Sequence, residues 1–439
     1  MFEILLIVLA LGLTIFVHEL GHFISAKSMK IPVEVFSMGL GPKLFGVKRG
    51  ETEYIVSLFF MFGGYVKMRG ENPNEHDRHD NTGFLNQHPS KKILVSVAGV
   101  TMNMILAVGL MFVVFTAGAQ SLRPVVGEVK EGYPAEAAGI KKGDIIESIN
   151  GIKTGFWDDV TKAIAADKSG KLVMTLIRNG GQASVEVVPV IEEYEDMLKD
   201  KKERAFIGIS PLAYLPVIDS LEPGYPAKEA GLKKGDIIRN INGVKINYWD
   251  QVTPAVALST DGETVIKVER DGTEKTFSFK AKPDKGENGE ARYLMGISPL
   301  MNTAKQRLPF DRAAARAVTE VRDMTMMTVR ALYKMVSRKI ETDVAGPIGV
   351  MQISYKVAKT GIVNLIFLFA IININLALIN LLPILPLDGG LVGIFLVEWV
   401  KGSPVSIEVQ EKLMQFGWML LIGLIVFFTY NDILRIIKG

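Results

Sequence analysis

The sequence predicts a multi-pass α-helical membrane protein with two small α+β domains inserted between its membrane spans. Two observations support this class. Long apolar stretches lie toward both ends of the chain, and the middle contains a charged segment that occurs twice. The 439 residues are 48% hydrophobic, yet 22% are charged. Such a mixture indicates very apolar segments combined with ordinary folded domains.

Composition excludes several kinds of site and partner. The chain has 50 Lys and Arg against 47 Asp and Glu, and its net charge of +3 is too small to indicate nucleic acid as a partner. It has no cysteine, which excludes disulfides, iron–sulfur clusters, thiolate zinc sites and cysteine nucleophiles. Only five histidines are present, so a metal site must combine His with Asp, Glu or Asn.

Four apolar stretches have the length and lack of charge of transmembrane helices. They cover residues 4–26, 93–119, 362–387 and 416–430. The start of the chain, Met1-Phe2-Glu3, is not basic, so we expect a span there rather than a cleaved signal peptide. The loop of residues 27–92 contains ten Lys and Arg, which favours the cytoplasmic side for this loop and the outside for residues 120–360.

A repeat of about 90 residues occupies the middle of the chain. Residues 131–151 and 223–243 are identical at fifteen of 21 positions, at an offset of 92. In each copy, Pro-Ala-x-x-Ala-Gly predicts a short helix, and Ile-Ile-x-x-Ile-Asn-Gly predicts a strand closed by a turn. This order resembles the circularly permuted PDZ domains of bacterial proteases, which implies grooves that accept an extended peptide as an added strand. Alternatively, the grooves are closed and the domains are spacers.

These features divide the chain into five regions. Residues 311–340 lack Gly and Pro and mix apolar with charged residues. They predict an amphipathic helix that lies on the outer membrane surface or packs against a domain. The expected regions are a first membrane part (1–119), two PDZ-like domains (120–212 and 213–300), a helix with a connector (301–361) and a second membrane part (362–439).

The strongest chemical signal is His18-Glu19-Leu20-Gly21-His22, at the end of the first span. Residues four apart share one face of a helix, so both imidazoles reach one ion. Zinc lowers the pKa of bound water, and Glu19 lies where it can accept the proton as a general base. Ionisable groups at the end of an apolar span are costly, which favours this function over histidines that merely face the interface.

Catalytic zinc takes three protein ligands and keeps one open position. We expect the third ligand to be Asp388, which ends the third span in a segment that contains Pro383 and Gly389. Such residues break a helix, and broken backbone at membrane depth is tolerated where it lines a cavity. Asn380 in this segment is a donor for a substrate carbonyl or an oxyanion. The remaining histidines lie in a polar loop and are expected to be solvated: His76, His79 and His88.

These residues together resemble the site-2 protease family of intramembrane zinc metalloproteases, over essentially the whole chain. The motifs that carry the resemblance, in family order, are His18 to His22, Phe36 to Gly39, Gly63 to Met68, Ala98-Gly99 with Asn103, Gly346 to Gly349, Asn375, and Asn380 to Gly390. The resemblance implies that His18, His22 and Asp388 bind zinc and that Glu19 is the general base. It also implies a membrane-associated β-hairpin over residues 44–68. The residues it implies for substrate positioning are Asn380, Pro383, Gly63, Gly64, Tyr65 and Val66.

Two positions depart from the family pattern. The second proline after Asn380 stands one place later than usual, at Pro386, and Leu391 replaces the usual histidine. The separation of Asn380 and Asp388 is the expected one. The departures therefore affect the shape of the loop more than the metal site.

The function implied by the resemblance is regulated intramembrane proteolysis. The chain would hydrolyse peptide bonds within transmembrane segments of single-pass membrane proteins, for example anti-sigma factors or signal-peptide remnants. The expected cofactor is Zn²⁺, and the expected location is the bacterial inner membrane. The PDZ-like domains would lie outside and gate substrate access, with the active site toward the cytoplasm. Other expected partners are the lipid bilayer and peptide C-termini at the PDZ-like grooves, and nucleic acid is not expected.

Two other functions are open to such a sequence. A PDZ-bearing membrane receptor or chaperone would use zinc only structurally, but no fourth ligand candidate lies near the two metal-binding segments. Deleting residues 122–300 separates the two readings, because a receptor would lose its function whereas a gated protease would become less selective. A transporter would carry an inverted repeat, and none is visible in four unequal spans.

Overall fold

The structure, a computed structural model, describes residues 2–72, 80–167, 170–196, 198–259, 263–285, 291–337 and 345–438. The helices are α1 Phe2–Ser28, α2 Pro89–Ala117, α3 Pro134–Ala137, α4 Trp157–Ala166, α5 Pro226–Glu229, α6 Val252–Ala257, α7 Phe310–Val336, α8 Pro347–Thr360, α9 Ile362–Asn380, α10 Asp388–Lys401 and α11 Ile407–Lys438. Short 3-10 helices are Phe84–Asn86 and Trp249–Gln251.

The strands come mostly from the middle of the chain. The long pair near the N-terminus is β1 Val33–Arg49 and β2 Thr52–Met68. The others are β3 Ala119–Leu122, β4 Val126–Val129, β5 Ile145–Ile149, β6 Ile152–Lys153, β7 Leu172–Arg178, β8 Gly181–Val187, β9 Val190–Glu195, β10 Lys201–Phe206, β11 Ile209–Pro211, β12 Tyr214–Leu221, β13 Ile237–Ile241, β14 Val244–Lys245, β15 Glu263–Arg270, β16 Thr273–Lys280, β17 Lys282–Lys285, β18 Ala291–Leu294, β19 Ile297–Met301 and β20 Thr303–Gln306.

The chain forms two compact units, one of residues 1–119 with 307–439 and one of residues 120–306. Among the described residues, four helices of the first unit are long and apolar enough to cross a membrane: Phe2–Ser28, Pro89–Ala117, Ile362–Asn380 and Ile407–Ile437. The last is longer than expected, because polar turns extend the helix beyond its apolar centre. We call the first unit the membrane unit and the second the repeat unit.

The third span ends earlier than expected. Helix α9 stops at Asn380 rather than near residue 387. Pro383 and Pro386 have no N–H to donate, and each disfavours helical backbone in the residue before it. A new helix, α10, begins at Asp388. The expectation that Asp388 ends the third span is therefore wrong, and Asp388 lies in the first turn of a separate helix.

Helix α2 is central to the membrane unit and packs against α1, α7, α9 and α10. Helix α7 buries a face of residues four apart, Ala313, Ala317 and Val321. Two of these join Ala107 and Met111 of α2 in one apolar cluster. Small side chains allow helices to approach closely. Of the two expectations for the amphipathic helix, these contacts favour packing against the spans.

The β-hairpin is longer than the expected 44–68, because each strand has 17 residues and pairing begins at Val33. Both strands are bent. Residues 35–38 have residues 53–56 as partners on one side and residues 64–67 on the other. Within the described ranges, no other strand pairs with residues 64–67. This segment therefore forms an open edge of the sheet.

The repeat unit contains two similar folds at the offset of 92 residues. The sheet order is β6-β5-β7-β8 in the first, and β16-β15-β13-β12-β19 in the second. The equivalent strands β5 and β13 bury equivalent residues, Ile146 and Ile149 in one and Ile238 and Ile241 in the other. Strand β19 lies at the end of its sheet, and no strand in the described part of the chain pairs with its outer edge.

Each repeat also buries one carboxylate, and an arginine pairs with it. The Asp144 Oδ2 to Arg178 Nη2 distance is 2.6 Å, and the Asp236 Oδ1 to Arg270 Nε distance is 2.6 Å. Burial alone would raise the pKa of Asp144 and of Asp236. The guanidinium hydrogen bonds instead hold both pKa values below the usual range.

Candidate active site

Two imidazoles of α1 face each other inside the membrane unit. His18 and His22 are one turn apart, and their Nε2 atoms lie 3.2 Å from each other. The rings meet edge to face, with centroids 4.9 Å apart. Only 8% of the His18 surface is exposed. The helix therefore aims two nitrogen ligands at one buried point.

Asp388 brings a carboxylate to the same point from the first turn of α10. Its Oδ2 lies 3.2 Å from His18 Nε2, and its Oδ1 lies 3.5 Å from His22 Nε2. One ligand atom from each residue falls within 4.8 Å of the others. The three candidate ligands predicted from the sequence are thus brought together.

The donor set fits zinc. His22 Nδ1 lies 2.9 Å from the carbonyl oxygen of Val95, which can only accept a hydrogen bond. Nδ1 therefore carries a proton, and Nε2, which lies 3.5 Å from Asp388 Oδ1, is the ring nitrogen in position to bind a metal. Oδ2 of Asp388 is a buried oxygen with no hydrogen bond of acceptable geometry. Two nitrogens and one carboxylate with an adjoining cavity match the ligands of a catalytic zinc site.

A cavity of about 310 Å³ adjoins the three ligands. The predicted site residues that line it are His18, Glu19, His22, Gly64, Tyr65, Val66, Asn380 and Asp388. Gly63 and Pro383 are not among the lining residues, and Pro383 borders a different, apolar cavity beside α11. Both positions of departure from the family pattern, Pro386 and Leu391, do line the site.

The open edge of the hairpin touches the candidate general base. A Cβ added to Gly64 would lie 2.8 Å from Glu19 Cγ and 2.9 Å from the Ser37 carbonyl oxygen. Only glycine allows this approach without displacing Glu19. The Glu19 side chain therefore lies directly against the open edge at Gly64.

From the sequence, Gly99 and Asn103 are recognised only as motifs of the family resemblance, and the residues of α2 that lie behind the histidines are assigned no role. Val95 bonds His22, and a Cβ on Gly99 would collide with His22 Nε2 and lie 2.8 Å from His18 Cε1. Asn103 Nδ2 lies 3.3 Å from His18 Nδ1. The spacing of four between these residues was the available signal, since it places them on one helix face.

Of the polar loop before α2, Glu71 belongs to the site and His88 does not. Glu71 lines the cavity, and desolvation raises the pKa of its carboxyl. His88 is the N-cap of α2, and its Nδ1 accepts a hydrogen bond from the Ser90 backbone N–H. His88 therefore serves the helix rather than a metal. His76 and His79 lie outside the described residues.

Comparison with known proteins identifies the family. The family model described as peptidase family M50 matches residues 6–424. The chain belongs to peptidase family M50. The family M50 assignment confirms the predicted site-2 protease family and a membrane metalloprotease.

Relatives within M50 align along their full length. The chain is 30% identical to the regulator of sigma-E protease RseP of Escherichia coli, over 98% of each chain. It is 28% identical to the regulator of sigma-W protease RasP of Bacillus subtilis, over 98% of this chain and 97% of that one. A Neisseria meningitidis relative, with "zinc metalloprotease" in its name, is 29% identical over 100% of both.

A solved PDZ domain protein of Parabacteroides distasonis also aligns with this M50 chain. It covers 42% of the chain at 8% identity, with a TM-score of 0.14. That score is too low to assign a fold to the repeats.

Proposed function

We propose that this chain is an intramembrane zinc endopeptidase that cleaves within the transmembrane segments of single-pass membrane proteins in the bacterial inner membrane. The observation that carries the proposal is the convergence of His18, His22 and Asp388 on one point beside Glu19. Among the described residues, no fourth protein ligand joins the cluster, which argues against a closed structural site and so against a receptor with structural zinc.

The residues of the cavity have complementary roles in peptide hydrolysis. His18, His22 and Asp388 would hold zinc, which when bound polarises a carbonyl and acidifies water. Glu19 removes the proton from the attacking water and then delivers it to the leaving amine. Both transfers occur beside the three ligands, because Glu19 lines the same cavity.

The open edge at residues 64–67 supports a role in holding the substrate. A helical peptide bond is shielded by its own hydrogen bonds, so a transmembrane substrate must unwind before it is cleaved. Gly64, Tyr65 and Val66 line the cavity, and among the described strands only β1 pairs with them, so their outer edge can accept an added strand. Asn380, which also lines the cavity, would donate a hydrogen bond to the carbonyl oxygen.

The repeats would act outside the membrane as a filter on substrates, with the active site toward the cytoplasm. The second repeat supports peptide binding there, because residues 293–297, which lead from β18 into β19, and helix α6 line a cavity of about 210 Å³. Its aromatic lining suits an apolar peptide end, and consists of Tyr225, Trp249 and Tyr293. Deletion of residues 122–300 tests the gating, with cleavage of unprocessed substrates expected to rise.

Glu19→Gln tests the catalytic assignment. The variant keeps all three ligands, so we expect zinc content to stay at the wild-type level. Loss of the general base should reduce cleavage of a single-pass reporter by about 10²–10⁴-fold. Zinc content is measured by elemental analysis of the purified full chain, and cleavage is measured in detergent and in vesicles.

Glu408→Gln is the matched control, because Glu408 is an exposed glutamate of the same unit that pairs with Lys412. It should retain both zinc and cleavage. Hydrolysis by Glu19→Gln at the wild-type rate would exclude Glu19 as the base. A wild-type chain that binds zinc but cleaves no reporter would favour the receptor instead.

A further inference from the structure

Asn103 is an unusual residue for its position on α2. Its side chain is fully buried, with 0% of its surface exposed. Its amide nitrogen lies 3.3 Å from His18 Nδ1, while its amide oxygen has no hydrogen-bond partner. A buried amide oxygen without a partner costs free energy, because it has lost its bonds to water.

If His18 binds zinc through Nε2, the contact between His18 Nδ1 and Asn103 must supply a hydrogen-bond acceptor. A neutral imidazole that binds metal through Nε2 carries its proton on Nδ1, and that proton needs an acceptor. For His22 the acceptor is the Val95 carbonyl. For His18 the polar side chain within reach of Nδ1 is Asn103, four residues beyond Gly99 on the same face.

The two ends of an amide are exchanged by a half-turn about the Cβ–Cγ bond, and their assignment depends on the hydrogen-bond network. With Nδ2 toward the ring, Asn103 donates to Nδ1 and the ring proton must sit on Nε2, where it blocks the metal. The half-turn places Oδ1 at Nδ1 instead. This orientation gives the unpartnered oxygen a donor and frees Nε2.

We propose that Asn103 is a positioning residue whose Oδ1 accepts the His18 Nδ1–H, and so holds His18 in the tautomer that binds zinc through Nε2. The inference rests on the proposed zinc site. Together, the α2 face of Val95, Gly99 and Asn103 then orients both imidazoles from behind.

Asn373 of α9 provides a matched control. It is equally buried, with 0% exposure, and its Oδ1 also has no hydrogen-bond partner. Its Nδ2 donates to Thr14 Oγ1 at 3.1 Å and to the Phe369 carbonyl oxygen at 2.8 Å, and neither partner is an imidazole. Removing its amide should disturb helix packing without changing the tautomer of His18.

The test compares zinc affinity among variants of the purified full chain, by competition with a chelator. We expect Asn103→Leu to bind zinc about 10–100-fold more weakly, the range found when an outer-shell partner of a ligand is lost. Asn103→Asp, which can only accept, should bind within a few-fold of wild type. Asn373→Leu should bind like wild type, even where its thermal unfolding temperature falls.

A second measurement reads the tautomer directly. In the zinc-loaded chain labelled with ¹⁵N-histidine, the NMR signal of His18 Nδ1 should be that of a protonated nitrogen, and in Asn103→Leu that signal should weaken or shift. Unchanged zinc affinity in Asn103→Leu would overturn the proposal. Equal losses in Asn103→Asp and Asn103→Leu would also do so, because the amide would then act as a donor. A wild-type chain that binds no zinc would instead refute the proposed function.

Discussion

Asp388 of the membrane unit and the buried carboxylates of the two repeats have opposite surroundings. In the repeat unit, Asp236 receives hydrogen bonds from Arg270 and from the Lys233 backbone N–H at 2.8 Å. Asp144 in the first repeat receives the same set at the equivalent positions. In the membrane unit, Asp388 faces two imidazoles, and its Oδ2 has no hydrogen bond of acceptable geometry.

This difference separates a structural carboxylate from a ligand. A buried charge whose lone pairs are all occupied by fixed protein donors has no capacity left for another partner. A buried carboxylate whose neighbours are also electron-pair donors is stable only with a cation or a proton between them. The repeat carboxylates therefore stabilise the fold, whereas Asp388 is arranged to bind.

The largest expected effect comes from adding a methyl group to α2 beside the two imidazoles that face Asp388. Gly99 lies against both imidazoles, and a Cβ there would overlap His22 Nε2. We expect Gly99→Ala to displace the imidazoles by about 1 Å and to lower zinc affinity and cleavage by about 10²-fold or more. Zinc competition and a cleavage assay on the full chain measure the two effects.

Gly109 on the same helix is the control, because a Cβ added there has nothing within 4 Å. Gly109→Ala should leave zinc affinity unchanged and slightly stabilise the helix. Zinc affinity that falls equally in both variants would mean that α2 has no special contact with the metal site.

The next test replaces each kind of carboxylate in turn. Both variants are measured after a chelator has removed metal from the purified chain. Asp236→Asn leaves the partly buried Arg270 without its anion, and we expect the local unfolding free energy of β13 and β15 to fall by about 3 kcal/mol. Asp388→Asn removes only the contacts to the two imidazoles, at 3.2 and 3.5 Å, so we expect a smaller loss of protection in α1 and α10, while zinc affinity is lost. Hydrogen exchange with mass spectrometry measures both regions in one sample.

The opposite pattern would contradict the distinction drawn between the two carboxylates. A metal-free Asp388→Asn chain that loses as much protection as Asp236→Asn would place Asp388 among the structural carboxylates. If added zinc increases the protection of α1 in wild type but not in Asp388→Asn, that result would support the role of Asp388 as a zinc ligand.

Much of this arrangement could be predicted from the sequence. The spans follow from apolar length, the repeats from self-similarity, and the ligands on α1 from a helical spacing of four. Each of these signals is local or periodic, so it can be recognised without knowledge of tertiary contacts.

The remaining features depend on contacts that a single sequence does not reveal. The long apolar run predicts a helix that continues to about residue 387, but Pro383 and Pro386 end α9 at Asn380. The doubled pairing of residues 35–38 depends on how the hairpin bends. Asn103 belongs to a motif of the family resemblance, but the sequence alone does not reveal that its side chain lies against His18.

The smallest expected effect is the response of the repeat unit to acid. The pKa values of Asp144 and Asp236 are lowered in the folded chain, so their contribution to stability is fully present above the unfolded-state pKa of about 3.9. It is lost as pH falls from there through the lowered native pKa values, because the folded state must then take up protons that the unfolded state already holds. Hydrogen exchange corrected for intrinsic rates should therefore show falling protection of β5 and β13 below about pH 4.

In the double variant Asp144→Asn with Asp236→Asn, this pH dependence should flatten, since neither position can then titrate. An equally steep acid response in the double variant would assign the acid sensitivity of the repeats to other carboxylates.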